Sequence, residues 1–139
     1  MVAKNRSKLL LEDVLKDKLN FAFEYVSYDN FSPDMPHDDA KNVWVKRIET
    51  LREEGTYLKE YKDLKIWITD GNPHGEVTIV MIVKGKEMER REEIIFSRSS
   101  EDQYWKVQNF FPEDGSDQNV LEHALGGDIS FEIQPEQNK

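Results

Sequence analysis

The chain predicts an α+β fold, with N-terminal helices packed on a curved antiparallel sheet of at least four strands. Three observations carry that prediction. Two stretches with helical apolar spacing come first, at about residues 9–28 and 39–54. Four strand-like segments then follow in a row between Leu64 and Phe111. The breaks between them are short, and short turns can join only antiparallel neighbours.

In the first helix, Leu11, Val14, Leu15, Leu19, Ala22 and Val26 recur at three- and four-residue spacing. Ser7 is the expected N-cap. Phe21, Phe23, Tyr25 and Tyr28 widen the apolar stripe, so the C-terminal half is expected to be well buried. Pro33 and Pro36 stop this element, because proline lacks the amide proton a helix needs. The second helix is expected from about Asp39 to Glu54. Its inner face is Ala40, Val43, Trp44, Ile48 and Leu51, with Asp38 or Asp39 as cap and Gly55 as stop. Thr56 to Tyr61 reads as a linker or the start of a strand.

Leu64, Ile66 and Ile68 alternate with Lys65, Trp67 and Thr69, the period of a half-buried strand. Asp70 to Gly75 is turn chemistry. Val77 to Val83 is almost wholly apolar and rich in β-branched residues, which predicts a central strand covered on both faces. Lys84-Gly85-Lys86-Glu87 is a hairpin turn, Glu89 to Arg98 a third strand, and Ser99 to Asp102 another turn. Tyr104 to Phe111 closes the sheet, with Trp105, Val107 and Phe111 expected on one side. Beyond Pro112, Asn119 to Leu125 is a short helix closed by Gly126-Gly127. Ile129 to Ile133 alternates and is a candidate fifth strand, and residues 134–139 are expected to be disordered.

A chain of 139 residues suits one domain and needs no covalent or metal staple. Without cysteine, disulfides, thiolate metal sites and cysteine nucleophiles are excluded. The net charge of −9 is uneven: residues 113–139 hold seven acids and one lysine, residues 1–112 hold 21 acids and 18 bases. The chain therefore divides into a nearly neutral domain, 1–112, and an acidic C-terminal extension, 113–139, expected to add little to the main core. No basic stripe with interleaved aromatics is present, which disfavours nucleic acid. No stretch approaches the roughly 20 apolar residues that span a bilayer.

Candidate sites are few. Asp34, His37, Asp38 and Asp39 cluster before the second helix; metal binding is one reading, favourable charge at a helix start the commoner one. His74 lies in a turn, and His123 has Glu122 and Asp128 as nearby acids. Arg90-Arg91-Glu92-Glu93 reads as a solvent-facing strand end with cross-strand ion pairs. Trp44, Trp67 and Tyr104 are the possible pocket lining, against the commoner reading of such tryptophans as core. Val77 to Val83 offers only Thr78 as a polar group, and no acid is expected within the apolar strands. No catalytic, cofactor or metal residue is assigned, and no enzyme activity is expected.

The aromatic helix Phe21-Ala22-Phe23-Glu24-Tyr25-Val26, the second helix ending at Gly55 and the strand pattern from Ile66 to Phe111 resemble the nuclear transport factor 2-like fold, a cystatin-like α+β cone. Gln103-Tyr104-Trp105-Lys106-Val107 is similar to the closing strand common in that superfamily. The resemblance covers about residues 9–111. Within it the chain looks most like the extracytoplasmic domains of bacterial conjugation, or type IV secretion, assembly proteins. It implies a non-catalytic interaction module on the extracytoplasmic face of a bacterial membrane, with other protein subunits and copies of itself as partners. Contact with a membrane is then expected only through a segment outside this chain. The alternatives are a small-molecule-binding or enzymatic member of the superfamily with a pocket inside the cone, and a cytoplasmic accessory protein without one.

Overall fold

Two-residue turns set the sheet. The computed structural model describes residues 2–98 and 104–130. Strands β1 (Tyr57–Thr69), β2 (Asn72–Val83), β3 (Lys86–Ser97) and β4 (Lys106–Pro112) pair antiparallel, in chain order, in one curved sheet. Asp70-Gly71 joins β1 to β2 with φ of 53° and 80°, and Lys84-Gly85 joins β2 to β3 with 51° and 82°. Two successive positive-φ residues form the turn whose twist matches the strands it connects. The strands are longer than their apolar patterns suggest. β1 starts at Tyr57 rather than Leu64, and Asn72 to Gly75 pair within β2 rather than forming a loop.

The helices are α1 (Val2–Leu15), α2 (Leu19–Ala22) with a 3-10 turn at Phe23–Tyr25, α3 (His37–Glu53) and α4 (Val120–Leu125). The single helix expected over 9–28 is corrected. It starts at Val2 and breaks at Asp17, whose φ is 61°. Arg52 from α3 holds that break, reaching the Asp17 carboxylate and, at 3.4 Å, the Val14 carbonyl. Ser7 is no cap: it lies inside α1 and its hydroxyl donates to the Ala3 carbonyl at 2.8 Å. Val26 has left the helix and bridges Val107 of β4. α3 ends where Gly55 takes φ of 85°. There Gly55 N–H donates to the Arg52 carbonyl and Thr56 N–H to the Leu51 carbonyl, the paired bonds of a Schellman motif. Asp38 and Asp39 sit in the first turn of α3, where they favour the helix dipole without capping it.

The inner face of the sheet contributes Leu58, Val77, Ile79, Met81, Ile94 and Phe110 to the core, and the helices add Leu10, Leu11, Phe23, Trp44, Ile48 and Leu51. A bulge between Ile95 and Phe96 shifts the parity of β4, pairing Ile95 with Asn109 and Phe96 with Val107. Val107 and Phe110 are consequently buried, while Phe111, expected to share the side of Val107, is 40% exposed. Ile79→Ala is expected to cost about 2–5 kcal/mol, and Lys86→Ala less than about 0.5 kcal/mol. Equal losses in urea melts would mean the strand faces are misassigned.

The expectation that residues after Pro112 add little to the core is also corrected. Leu121, Ala124, Leu125 and Ile129 are buried in the same core cluster as α1, α3 and the sheet. The chain after α4 is threaded against β4: Gly127 N–H donates to the Gln108 carbonyl at 2.8 Å, and a Cβ at Gly127 would lie 1.6 Å from the Ser27 carbonyl oxygen. Gly127→Ala therefore forces two backbones apart and is expected to cost about 1–3 kcal/mol or more. A urea midpoint unchanged from wild type would show that this passage is looser than the contact implies. Of the candidate fifth strand, Ile129 and Ser130 form a turn; residues 131–133, like 134–139, lie outside the described residues.

Candidate functional site

The three possible pocket residues lie in three different settings. Trp44, on the inner face of α3, is wholly buried against Phe23, ring centroids 5.7 Å apart. Trp67, near the end of β1, is 44% exposed and stacks on His74 across the β1–β2 ladder at 5.9 Å. Tyr104 is 44% exposed, with the Arg6 guanidinium 4.4 Å above its ring. Trp44 belongs to the packing of the interior, and the other two lie on the surface.

The interior instead holds an acid pair. β3 alternates, so Glu92 faces inward with Ile94 and is fully buried, while Glu93 is exposed. The charge run 90–93 is thus corrected in part: Arg91 makes the expected cross-strand ion pair, with Glu76 at 2.9 Å, while Glu92 turns its carboxyl inward. Glu122, at the third position of α4, is also fully buried, and its carboxyl lies beside that of Glu92. Glu122 Oε1 accepts the Asn119 N–H at 2.7 Å and faces Arg90 Nη2 at 3.3 Å. Burial, then the neighbouring Glu122, pushes the Glu92 carboxyl up to about 9, because charge is disfavoured away from water and beside like charge. The expectation that no acid lies within the apolar strands is therefore corrected.

α3 supplies the neighbouring buried cation. Arg47 donates to the carbonyls of Ala124, Gly126 and Asp128 at 2.6, 3.2 and 2.7 Å, closing the C-terminal end of α4. Burial lowers Arg47 to about 10. His123 Nε2 meets Asp128 Oδ2 at 2.9 Å. Burial acts to raise Asp128, but the Ser130 hydroxyl and the His123 ring outweigh it and hold this carboxyl below its usual range.

The sheet divides at one end. Asn72, Pro73 and His74 of β2 pair with β1, and pairing to β3 begins only at Gly75 opposite Ile94. Ile95 to Ser97 of β3 pair with β4 instead. The two hairpins therefore part beyond Gly75, leaving a two-stranded arm of Ile66–Thr69 and Asn72–Gly75. It exposes Trp67, Ile68 and the tip Asp70-Gly71. Gly75 stands at the fork because Ile66, Ile94 and Phe96 close over it; a Cβ there would lie 2.7 Å from Ile66 Cδ1.

His37 pairs with Glu24 at 2.9 Å and Asp38 at 3.0 Å, and its ring lies 5.5 Å from that of Phe23. The arrangement ties the start of α3 to the 3-10 turn. Among the described residues no group of three or more histidines and acids is placed to hold a metal ion. Nor, among them, is any helix long and apolar enough to cross a membrane. Comparison with protein-family models, curated proteins and solved structures finds no match.

Proposed function

We propose that the protein is a non-catalytic interaction module, an assembly domain of a bacterial conjugation (type IV secretion) channel acting on the extracytoplasmic face of the membrane. The observation that carries the interaction reading is the forked end of the sheet. The arm holds Trp67 and Ile68 in solvent at 44% and 50% exposure. Large apolar side chains held in solvent are characteristic of docking sites, and tryptophan is prominent among the residues that carry binding energy. The burial of Trp44, Phe23, Phe110, Ile79 and Met81 in the core supports the same reading, since these side chains serve packing. The assignment to a conjugation channel rests on the resemblance of the helix-and-meander layout to that group of proteins. The test is a photo-crosslinking residue at Ile68 in the full chain, expressed in its native cell. Adducts with channel subunits, lost on Trp67→Ala, are the expected result. A folded, expressed protein that yields no adduct would sink the proposal.

One observation favours a second reading, ligand binding or catalysis inside the cone. Glu92 has the raised proton affinity that general acids are tuned to. It is closed off beneath α4, so a substrate would reach it only after α4 moved. A small molecule that co-purifies with wild type and is lost from Glu92→Gln would favour this reading.

A further inference from the structure

Three carboxylate oxygens are buried without a donor among the described residues: both of Glu92 and Oε2 of Glu122. They come from elements far apart in sequence, β3 and α4, and meet where α4 lies on the sheet. Two ionised carboxylates in contact, away from water, would each be desolvated and would repel the other. One proton removes the conflict. Held on Glu92, it makes a donor for Glu122 and leaves a single negative charge facing Arg90, whose Nη2 is 3.3 Å from Glu122 Oε1. We propose that Glu92, Glu122 and Arg90 form a proton-operated latch that fastens α4 and the chain behind it to the sheet, and that loss of the proton releases this segment.

The geometry shows why release would follow. Glu122 also builds the first turn of α4. Its Oε1 accepts the Asn119 N–H at 2.7 Å, and its own N–H donates to Asn119 Oδ1 at 2.9 Å, a reciprocal capping box. Repulsion that turns the Glu122 side chain away breaks that box. α4 has six residues, and so short a helix holds its shape only through what it packs against. The charged groups facing Glu92 are Glu122 from α4, Arg90 from β3 and Asp114 from the turn after β4; the two acids favour the protonated form and Arg90 opposes it. Burial is the largest influence and sets release on the alkaline side of neutrality.

Amide hydrogen exchange on the full chain tests the latch. Protection of Leu121 to Leu125, corrected for intrinsic exchange, is compared with that of Ile79 to Met81 at about pH 7 and about pH 10. The α4 amides are expected to lose at least about tenfold more protection than the β2 amides. Glu92→Gln, which retains a donor and cannot ionise, is expected to abolish the difference. Parallel loss in both elements, or a glutamine variant that behaves as wild type, overturns the proposal. Carboxyl-carbon titration of glutamate-labelled wild type gives an answer without any variant. A Glu92 resonance that titrates in the ordinary carboxylate range, near pH 4.5, overturns the latch, and one that titrates on the alkaline side supports it.

Discussion

A chain ending at Pro112 is expected to lose cooperative folding. The cut removes Leu121, Ala124, Leu125 and Ile129, all buried in the common core. Burying a leucine or isoleucine side chain contributes about 1.5–3 kcal/mol, so the three large residues account for roughly 5–9 kcal/mol. A domain's entire stability is about 5–15 kcal/mol. The cut also takes away the three carbonyls that Arg47 reaches from α3. Those charge-assisted hydrogen bonds, each worth more than a neutral one, go with them. The edge of β4 loses its bond from Gly127 as well. Urea unfolding of the truncated and full chains, followed by tryptophan fluorescence, checks this. A sharp transition with a free energy within about 2 kcal/mol of the full chain would make the segment an appendage.

Composition points the other way for this segment, and the reason is physical. Seven acids against one lysine describe the average of residues 113–139, whereas burial is decided side chain by side chain. The helical spacing of Leu121, Ala124 and Leu125 was legible, and so was the closing glycine pair; what they packed against was not. The fold class was legible for a firmer reason. Alternation, β-branched runs and Asp-Gly or Lys-Gly turns all act over a few residues, so they survive in the local pattern. Strand ends were read short because the charged stretch of β1, Lys59 to Lys65, carries two irregularities in pairing that break its alternation. The parity of β4 failed for a similar reason, since a one-residue bulge exchanges Phe110 and Phe111 between faces.

The acid pair was half legible. Glu92 stands two residues before Ile94, so any strand that buries Ile94 also turns Glu92 inward. Glu122 stands three residues after Asn119, the spacing of a capping box. Neither signal shows that the two carboxyls meet, because that depends on how the segment after β4 folds back. The possible pocket residues illustrate the converse. Trp44, Trp67 and Tyr104 share a chemistry, but helix face, arm and strand end send them to different places. The arm itself depends on where one pairing stops and another starts, which is a property of two hairpins together.

Folding stability is expected to fall as pH rises from about 5 to about 8, and Glu92→Gln should remove most of that slope. The sign follows from the direction of the shift. Glu92 is raised from 4.5 to about 9 in the fold. Between those values the folded chain keeps a proton that the unfolded chain has released. The stabilisation is therefore complete below about pH 4.5 and is lost as pH climbs toward the folded value. One proton gives a slope of about 1.4 kcal/mol per pH unit, or roughly 4 kcal/mol over the window. Glu76, Asp114 and Asp128 are lowered in the fold, so their contribution is lost on the acid side, below the ordinary carboxylate range. Glu113 is raised by its contact with Glu76 on the outer face, and subtracting the two profiles removes that effect. Glutamine copies the protonated acid, so the variant should be about as stable as wild type near pH 5 and more stable by roughly 4 kcal/mol near pH 8. Urea melts of both proteins at several pH values measure the difference. Parallel profiles would show that the proton does not reside where two buried carboxyls and one guanidinium place it.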